Sequence, residues 1–126
     1  MSEAWIEGDE SARWMSGSGH GPEDGARSSG SSLLELAPGH RLPRHTDSAE
    51  ETVVVISGRA ALSVEGAQLE LSPGGVAVIP ADAPHEVRNP GTEPLRFAAV
   101  YAADDVVTTY EHEVQPDGSR QRRPVG

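Results

Sequence analysis

Cysteine and lysine are both absent from this chain of 126 residues. The absence of cysteine excludes disulfides, thiolate zinc sites and a cysteine nucleophile. The absence of lysine excludes Schiff-base chemistry and a lysine general base, and all ten basic residues are therefore arginine. Because aromatic residues make up only 4% of the chain, the core must be built from valine, leucine, isoleucine and alanine.

Positive charge and long apolar runs are also scarce. The formal net charge of −10 repels phosphate backbones, so we expect no nucleic-acid partner. No apolar run approaches the roughly 20 residues that span a bilayer, so we expect no membrane partner. The acidic residues 1–10 lack the basic and then apolar pattern of a secretion signal, and this predicts a cytoplasmic protein.

The composition changes near residue 31, and this predicts how the chain is organised. Residues 16–32 are rich in glycine and serine, a composition that cannot bury enough apolar surface to offset its ordering entropy. We therefore predict a mobile loop there, within an N-terminal arm over residues 1–30. Residues 114–126 are predicted to form a loose tail, whose arginines contact the acidic body or stay disordered.

The segment between them, residues 31–113, consists of short strands separated by glycine, proline, asparagine and aspartate. The spacing is that of a sandwich or closed barrel, and the predicted strands are 32–36, 41–45, 52–57, 60–65, 68–71, 76–79, 85–89, 95–101 and 106–114. No segment shows a sustained helical period of apolar residues. The predicted fold class is all-β.

The strand over residues 52–57 is apolar on both faces, so it needs cover on both. Its phase places Val53 and Val55 inside the barrel and Val54 and Ile56 outside. Outward β-branched residues make an apolar patch that a monomer would normally avoid. The pattern predicts a homodimer built sheet against sheet.

Four polar residues have the spacing of a metal site. His45 and Asp47 alternate on one strand, so they share a face about 7 Å apart. Glu51 opens the next strand and can face the same way, whereas a slip to Glu50 would turn the carboxylate to the other face. His85 heads a later strand that can pair beside the first group. Two imidazoles and two carboxylates that converge in a small barrel make a divalent-metal site.

These residues fall within two motifs that resemble the paired motifs of the cupins, which are small double-stranded β-helix barrels of jelly-roll-like form. The first cupin motif is a glycine, five residues, His-x-His, three or four residues, Glu, six residues and Gly. In this chain it falls on Gly39, His45, Asp47, Glu51 and Gly58. The second motif is a glycine, five residues, Pro-x-Gly, two residues, His, three residues and Asn. It falls on Gly74, Pro80, Asp82, His85 and Asn89.

The resemblance implies a compact single-domain cupin barrel over residues 31–113 that holds one metal through His45, Asp47, Glu51 and His85. Asp47 stands where the family motif has its second histidine. Two carboxylates and two imidazoles leave a divalent ion neutral, which favours iron or manganese, while zinc and nickel stay open. Without Glu51, the other three residues read as a facial triad suited to non-haem iron. The alternative is a degenerate barrel in which Asp47 has abolished metal binding.

The resemblance also implies a metal-dependent enzyme that acts on a small organic molecule. Oxygenation, as by a non-haem dioxygenase, is the first expectation, and isomerisation or cyclisation the second. A non-catalytic module that senses or stores a small ligand is the alternative.

Arg41 is the candidate substrate-binding residue. It lies four residues before His45 and shares its face if the strand is regular, so it could clamp a substrate carboxylate. A salt bridge at the rim is the competing interpretation. No catalytic acid or base is identified beyond the four ligand candidates.

Overall fold

The computed structural model describes residues 1–125 of the chain. They form twelve β-strands, one 3₁₀ helix over Pro22–Asp24 and no α-helix. The strands are β1 (Ser2–Ile6), β2 (Asp9–His20), β3 (Gly30–Leu36), β4 (Arg41–Asp47), β5 (Glu51–Ser57), β6 (Ala60–Val64), β7 (Ala67–Leu71), β8 (Val76–Ile79), β9 (His85–Arg88), β10 (Leu95–Tyr101), β11 (Thr108–Gln115) and β12 (Ser119–Arg122). The all-β prediction is confirmed. No helix in this part of the chain is long and apolar enough to cross a membrane.

The strands form a single sheet that closes into a barrel. Its order is β7-β6-β9-β4-β11-β1-β2-β3-β10-β5-β8, and β12 pairs with β11 outside this path. A parallel pairing of β2 with β4 links two parts of the sheet. Nine of the strands, β3 to β11, correspond to the nine that the sequence predicts. The strand predicted over 41–45 continues to Asp47, which brings a second polar residue into the ordered wall.

The N-terminal residues differ from the predicted arm and mobile loop. Residues 9–20 form β2, which pairs with β3 on one side and β1 on the other. Glycine in β2 allows this strand to pack closely against β3, since a Cβ at Gly19 would lie 2.3 Å from the Ser31 hydroxyl. His20 is held in place by hydrogen bonds with the hydroxyls of Ser31 and Ser29. Composition alone predicted disorder because it does not show these contacts between strands.

The predicted C-terminal tail is also partly ordered. Residues 119–122 form β12, which places Arg122 opposite Thr108 of β11. Val125 is 1% exposed and packs beside Gly30. The chain end therefore contributes to one wall of the barrel.

The core lies inside the barrel and is mainly aliphatic, as the low aromatic content predicts. Val53 and Val55 are fully buried, which confirms their inward phase on β5. Ile56 is 55% exposed on the outside of the same strand. Trp14 is buried, and its ring stacks on Tyr110 with 5.3 Å between centroids. This pair forms a rigid aromatic wall next to the polar residues described below.

Candidate metal centre

Four almost fully buried polar side chains converge inside the barrel. His45 and Asp47 lie on β4, Glu51 begins β5 and His85 begins β9, and each is at most 4% exposed. One donor atom from each residue lies within 4.8 Å of the donor atoms of the other three. The predicted convergence is confirmed, and Glu50 is exposed, as its opposite phase predicts.

A β-bulge in β4 determines which of its residues face the cluster. The register with β9 passes from Leu42–Val87 to His45–His85, so β4 carries one extra residue between these pairs. An extra residue reverses the alternation of side chains. As a result Leu42, His45 and Asp47 are all buried.

The bulge also turns Arg41 away from the cluster. Its guanidinium pairs with the Asp9 carboxylate, and its Nε lies 3.4 Å from Glu86 Oε1. Arg41 does not line the cavity that reaches His45. The prediction that Arg41 shares the face of His45 is wrong, because it assumed a regular strand. The structure agrees with the competing interpretation, a salt bridge at the rim.

Backbone carbonyls orient both imidazoles. The Nδ1 of His45 donates to the carbonyl of Pro43 at 2.7 Å, and the Nδ1 of His85 donates to that of Ala83 at 2.8 Å. These bonds turn the Nε2 atoms toward the cluster, where His85 Nε2 lies 3.1 Å from Glu51 Oε1. Outer hydrogen bonds of this kind are typical of metal-binding histidines.

The Asp47 carboxylate has one satisfied oxygen and one orphaned oxygen. Oδ1 accepts a hydrogen bond of 2.5 Å from the Thr108 hydroxyl. Oδ2 is buried without a hydrogen-bond partner among residues 1–125, although it lies 3.3 Å from His85 Nε2 and 3.7 Å from His45 Nε2. A buried carboxylate oxygen without an aligned hydrogen-bond donor is costly, even with the imidazole of His85 at 3.3 Å. A cation between Oδ2 and the two Nε2 atoms would satisfy it, so the donor set fits a divalent metal.

The protonation of the cluster reflects burial and close pairing. Burial, with the adjacent His85, lowers the pKa of His45 to about 4. Burial alone would lower the pKa of His85, but Asp47 and Glu51 raise it to about 10. Burial raises the pKa of Glu51 to about 7 against the opposing effect of His85. Burial alone would raise the pKa of Asp47, but His85 holds it well below its ordinary value. At neutral pH the metal-free cluster thus holds a proton on His85.

A cavity of about 260 Å³ opens onto the cluster. Three residues of the cluster, His45, Asp47 and Glu51, line this cavity. The rest of the lining includes hydroxyl groups, aromatic rings, one leucine and one arginine: Ser16, Ser18, Ser32, Thr108, Tyr101, Tyr110, Trp14, Leu34 and Arg122. The volume is smaller than the roughly 300–1,000 Å³ of pockets that bury drug-sized ligands. The space suits a small molecule with several oxygen atoms.

The family follows from comparison with known proteins. Residues 32–101 match the family described as "Cupin domain", and this match covers more than half of the chain. The chain belongs to the cupin family. No curated protein matches it at a significant level.

Solved structures of other cupins share this architecture. A candidate sugar phosphate isomerase from Acidithiobacillus ferrooxidans is 28% identical with a TM-score of 0.63, over 91% of this chain and 78% of that one. The S161A mutant of Bacillus subtilis oxalate decarboxylase is 21% identical with a TM-score of 0.68, over 82% of this chain and 29% of that one. A polyketide cyclase from Streptomyces resistomycificus is 24% identical with a TM-score of 0.62, over 70% and 63%. The cupin resemblance read from the motifs is confirmed.

Asp82 and Asn89, from the second cupin motif, have structural roles. Asp82 replaces the motif glycine and adopts a φ of +64°, a left-handed conformation that aspartate tolerates in turns. The Asn89 amide donates to the carbonyls of Leu36 and Glu93 at 2.9 and 2.8 Å. Both residues fix the loops on either side of β9, the strand that carries His85.

Sequence reasoning missed four residues at this cupin cavity, namely Thr108, Tyr101, Tyr110 and Arg122. Three of them lie in register beside the cluster: Thr108 opposite Asp47, Tyr110 opposite His45, and Tyr101 opposite Glu51. The alternation of residues 106, 108 and 110 on a predicted strand was the available signal for Thr108 and Tyr110. Arg122 carried no such signal because its strand was not predicted.

Metal binding to this cupin is expected to strengthen as pH rises. Because burial raises the pKa of Glu51 and the two carboxylates raise that of His85, a metal is expected to displace at least one proton at pH 7. The association constant for Mn²⁺ should therefore rise at least about tenfold per pH unit between pH 6 and 8. Calorimetric titration in two buffers of different ionisation enthalpy counts these protons. An affinity that does not change with pH would contradict metal binding at His85.

Proposed function

We propose that this cupin is a metal-dependent enzyme that acts on a small organic molecule, of the oxygenase or the isomerase and cyclase type. The observation that carries the proposal is the orphaned oxygen of Asp47, which faces two inward Nε2 atoms beside a small cavity. His45, Asp47, Glu51 and His85 would hold the ion. A divalent ion supplies Lewis-acid polarisation of a substrate oxygen and, if redox-active, a binding position for dioxygen.

Iron or manganese is the metal that the donor set favours. Two carboxylates and two imidazoles neutralise a divalent ion and supply a hard, mixed oxygen and nitrogen environment. Oxalate decarboxylase of Bacillus subtilis, which has the same fold, has Mn(II) centres. Zinc and nickel are the other ions to be tested.

The residues around the cluster orient the ligands and form an aromatic wall beside them. Thr108 fixes the rotation of the Asp47 carboxylate through its hydrogen bond. The ring of Tyr110 lies 5.1 Å from that of His45 and is backed by Trp14. Both rings are buried, so this side of the cluster is bordered by aromatic groups. A substrate is therefore held in a low-dielectric site, where its charge and the charge of the cluster interact strongly.

The test begins with the metal content of protein purified without an affinity-tag metal. Iron- and manganese-loaded protein is then incubated with small hydroxy and oxo compounds while oxygen uptake and product formation are recorded. Oxygen uptake that needs both metal and substrate supports the oxygenase type, and product of unchanged mass supports the isomerase and cyclase type. Tight binding without turnover supports the non-catalytic alternative, and a metal-free protein that cannot be loaded refutes the proposal.

We also propose that two copies of the chain pair through the outer face of β3, β10, β5 and β8. The strand registers place Leu33, Ala98, Val54 and Val76 in one row across these four strands. Val76 and Val78 are 55% and 60% exposed, and β8 ends the sheet. A second copy would cover this apolar face by a two-fold, sheet-to-sheet contact. A location in the cytoplasm likewise stays a prediction.

Val78→Glu is expected to convert the dimer into a monomer, because it places a charge at the most exposed apolar position of this face. Light scattering of the unaltered chain at micromolar concentration should give twice the 13.3 kDa of one chain. The matched control is Leu69→Glu, which adds the same charge at a 38% exposed position on β7, at the other end of the sheet. A monomeric mass for the unaltered chain would refute the dimer.

A further inference from the structure

The cavity is lined by a half-buried arginine, one of whose guanidinium nitrogens is buried and lacks an acceptor. Arg122 is the last residue of β12 and lines the cavity. Its Nη1 is buried and has no hydrogen-bond partner among residues 1–125. Its neighbours on the chain do have partners: Arg123 pairs with Asp105, and Arg120 donates to the carbonyl of Tyr110. A buried guanidinium N–H without an acceptor is costly, so Arg122 points to a ligand that supplies one.

The strand pairing places Arg122 next to the metal cluster. Arg122 lies directly opposite Thr108 between β12 and β11, and opposed residues of antiparallel strands extend from the same face of the sheet. The Thr108 hydroxyl donates to Asp47. The guanidinium therefore enters the cavity on the Asp47 side. Across the sheet, only Thr108 lies between Arg122 and Asp47.

The charge of the cavity favours a monoanion. A divalent ion would be neutralised by Asp47 and Glu51, so Arg122 leaves the loaded cavity with one positive charge. Arginine binds carboxylates through two parallel N–H bonds. We propose that Arg122 binds the carboxylate of a small hydroxy or oxo acid, while the hydroxyl or carbonyl oxygen of that acid faces the metal. The contact between the acid and the metal rests on the function proposed above, whereas the contact between the carboxylate and Arg122 does not.

Arg122 lies outside residues 32–101, the part of the chain that matches the family. Its position depends on β12, which follows the matched barrel strands. The substrate class is thus set by a C-terminal strand of this chain in addition to the shared cluster. Arg122 replaces Arg41 as the residue that recognises substrate, because Arg41 faces the outside of the barrel.

Titration of Mn²⁺-loaded protein with matched acids and amides tests the proposal. The probes are glycolate, 3-hydroxypropionate and 4-hydroxybutyrate, each against its uncharged amide, with inorganic phosphate as a further anion. For at least one chain length we expect the acid to bind about tenfold to a hundredfold more tightly than its amide, as for a hydrogen-bonded charge pair. Phosphate, a more highly charged and tetrahedral anion, should bind more weakly than that acid.

Arg122→Gln should abolish this preference and leave the metal content unchanged. Arg59→Gln is the matched control, because it removes the same charge from an exposed residue that does not line this cavity and whose guanidinium is already paired with Glu70. Circular dichroism and melting of both variants show whether they are folded. The proposal is overturned if the unaltered protein binds no acid in preference to its amide, if Arg122→Gln keeps the preference, or if phosphate binds more tightly through Arg122.

A second readout separates this inference from the metal proposal. The Nε–Hε signal of Arg122 in a ¹⁵N-labelled sample, assigned by its loss in Arg122→Gln, reports on the guanidinium with or without metal. If the protein binds no metal, the proposed function fails. Shifts of this signal by the acids but not the amides would then still support Arg122 as the anion-binding residue, and the absence of such shifts would refute it.

Discussion

His85→Ala is expected to remove nearly all bound metal from the protein. His85 is one of two nitrogen donors in the cluster and is 2% exposed. The truncation also removes the group that lies between the two carboxylates, 3.1 Å from Glu51 and 3.3 Å from Asp47. Loss of an outer hydrogen-bond partner alone costs metal affinity about 10–100-fold, so loss of the ligand should exceed a hundredfold. Elemental analysis and Mn²⁺ titration measure the effect.

Glu50→Ala is the control for this experiment, because Glu50 is next to Glu51 in the chain but exposed. It should bind metal like the unaltered protein. Melting in the presence of a chelator shows whether His85→Ala is still folded. Full metal occupancy with normal affinity in a folded His85→Ala protein would rule out the four-residue centre.

The second large effect expected is the destabilisation caused by Gly58→Ala. Gly58 follows β5 and has a φ of +81°, and a Cβ there would lie 2.4 Å from the carbonyl oxygen of Pro94 and 2.9 Å from Leu95 Cα. Both neighbours are backbone atoms, which cannot move aside without distorting β10. The left-handed conformation alone costs an alanine about 1–2 kcal/mol. With the overlap, the free energy of unfolding should fall by more than about 3 kcal/mol, which lowers Tm by roughly 10 °C or more.

Gly39→Ala separates the two contributions at Gly58. Gly39 has a φ of +79°, but nothing lies within 4 Å of its added Cβ. Gly39→Ala should therefore cost only the conformational part, about 1–2 kcal/mol. Urea denaturation of metal-free protein is the suitable measurement, since bound metal would add stability of its own. Equal losses in the two variants would show that the approach of β10 is not what requires glycine at position 58.

The cluster was predictable from the sequence because its residues obey strand alternation within short segments. His45 and Asp47 are two residues apart, Glu51 begins the next strand, and His85 begins the strand that pairs with the first. These relations depend on local spacing and on few strand pairings. The barrel strands were predictable for the same reason, since turn residues separate short apolar runs.

The phase of Arg41 could not be predicted from its own strand. The bulge becomes visible only when two paired strands are compared. From Val87 to His85 there are two residue steps on β9, whereas from Leu42 to His45 there are three on β4. The sequence of β4 contains no glycine that would mark such a bulge, and its Pro43 is compatible with an edge strand as well as with a bulge. The face of a residue beyond a bulge therefore becomes known only with its pairing partner.

The flanking strands were missed for a different physical reason. β2 is rich in serine and glycine because it packs closely against β3, and this composition matches that of a flexible linker. β12 contains two arginines and no apolar residue, so it lacks the alternation by which strands are recognised. In both segments order comes from contacts with the barrel.

The hydrogen bond from Thr108 to Asp47 also affects the selectivity that a metal centre at this cluster would have among divalent ions. Calcium takes six to eight oxygen ligands and commonly binds both oxygens of a carboxylate. Asp47 offers Oδ2 freely, whereas Oδ1 already accepts the Thr108 hydroxyl, so an ion bound through both oxygens would have to share Oδ1 with that hydrogen bond. With one carboxylate restricted in this way and two nitrogens among the four donors, the centre is a poor host for calcium. A single hydroxyl group, contributed by a strand that carries none of the four donors, would thereby help such a centre to discriminate against an abundant competing ion.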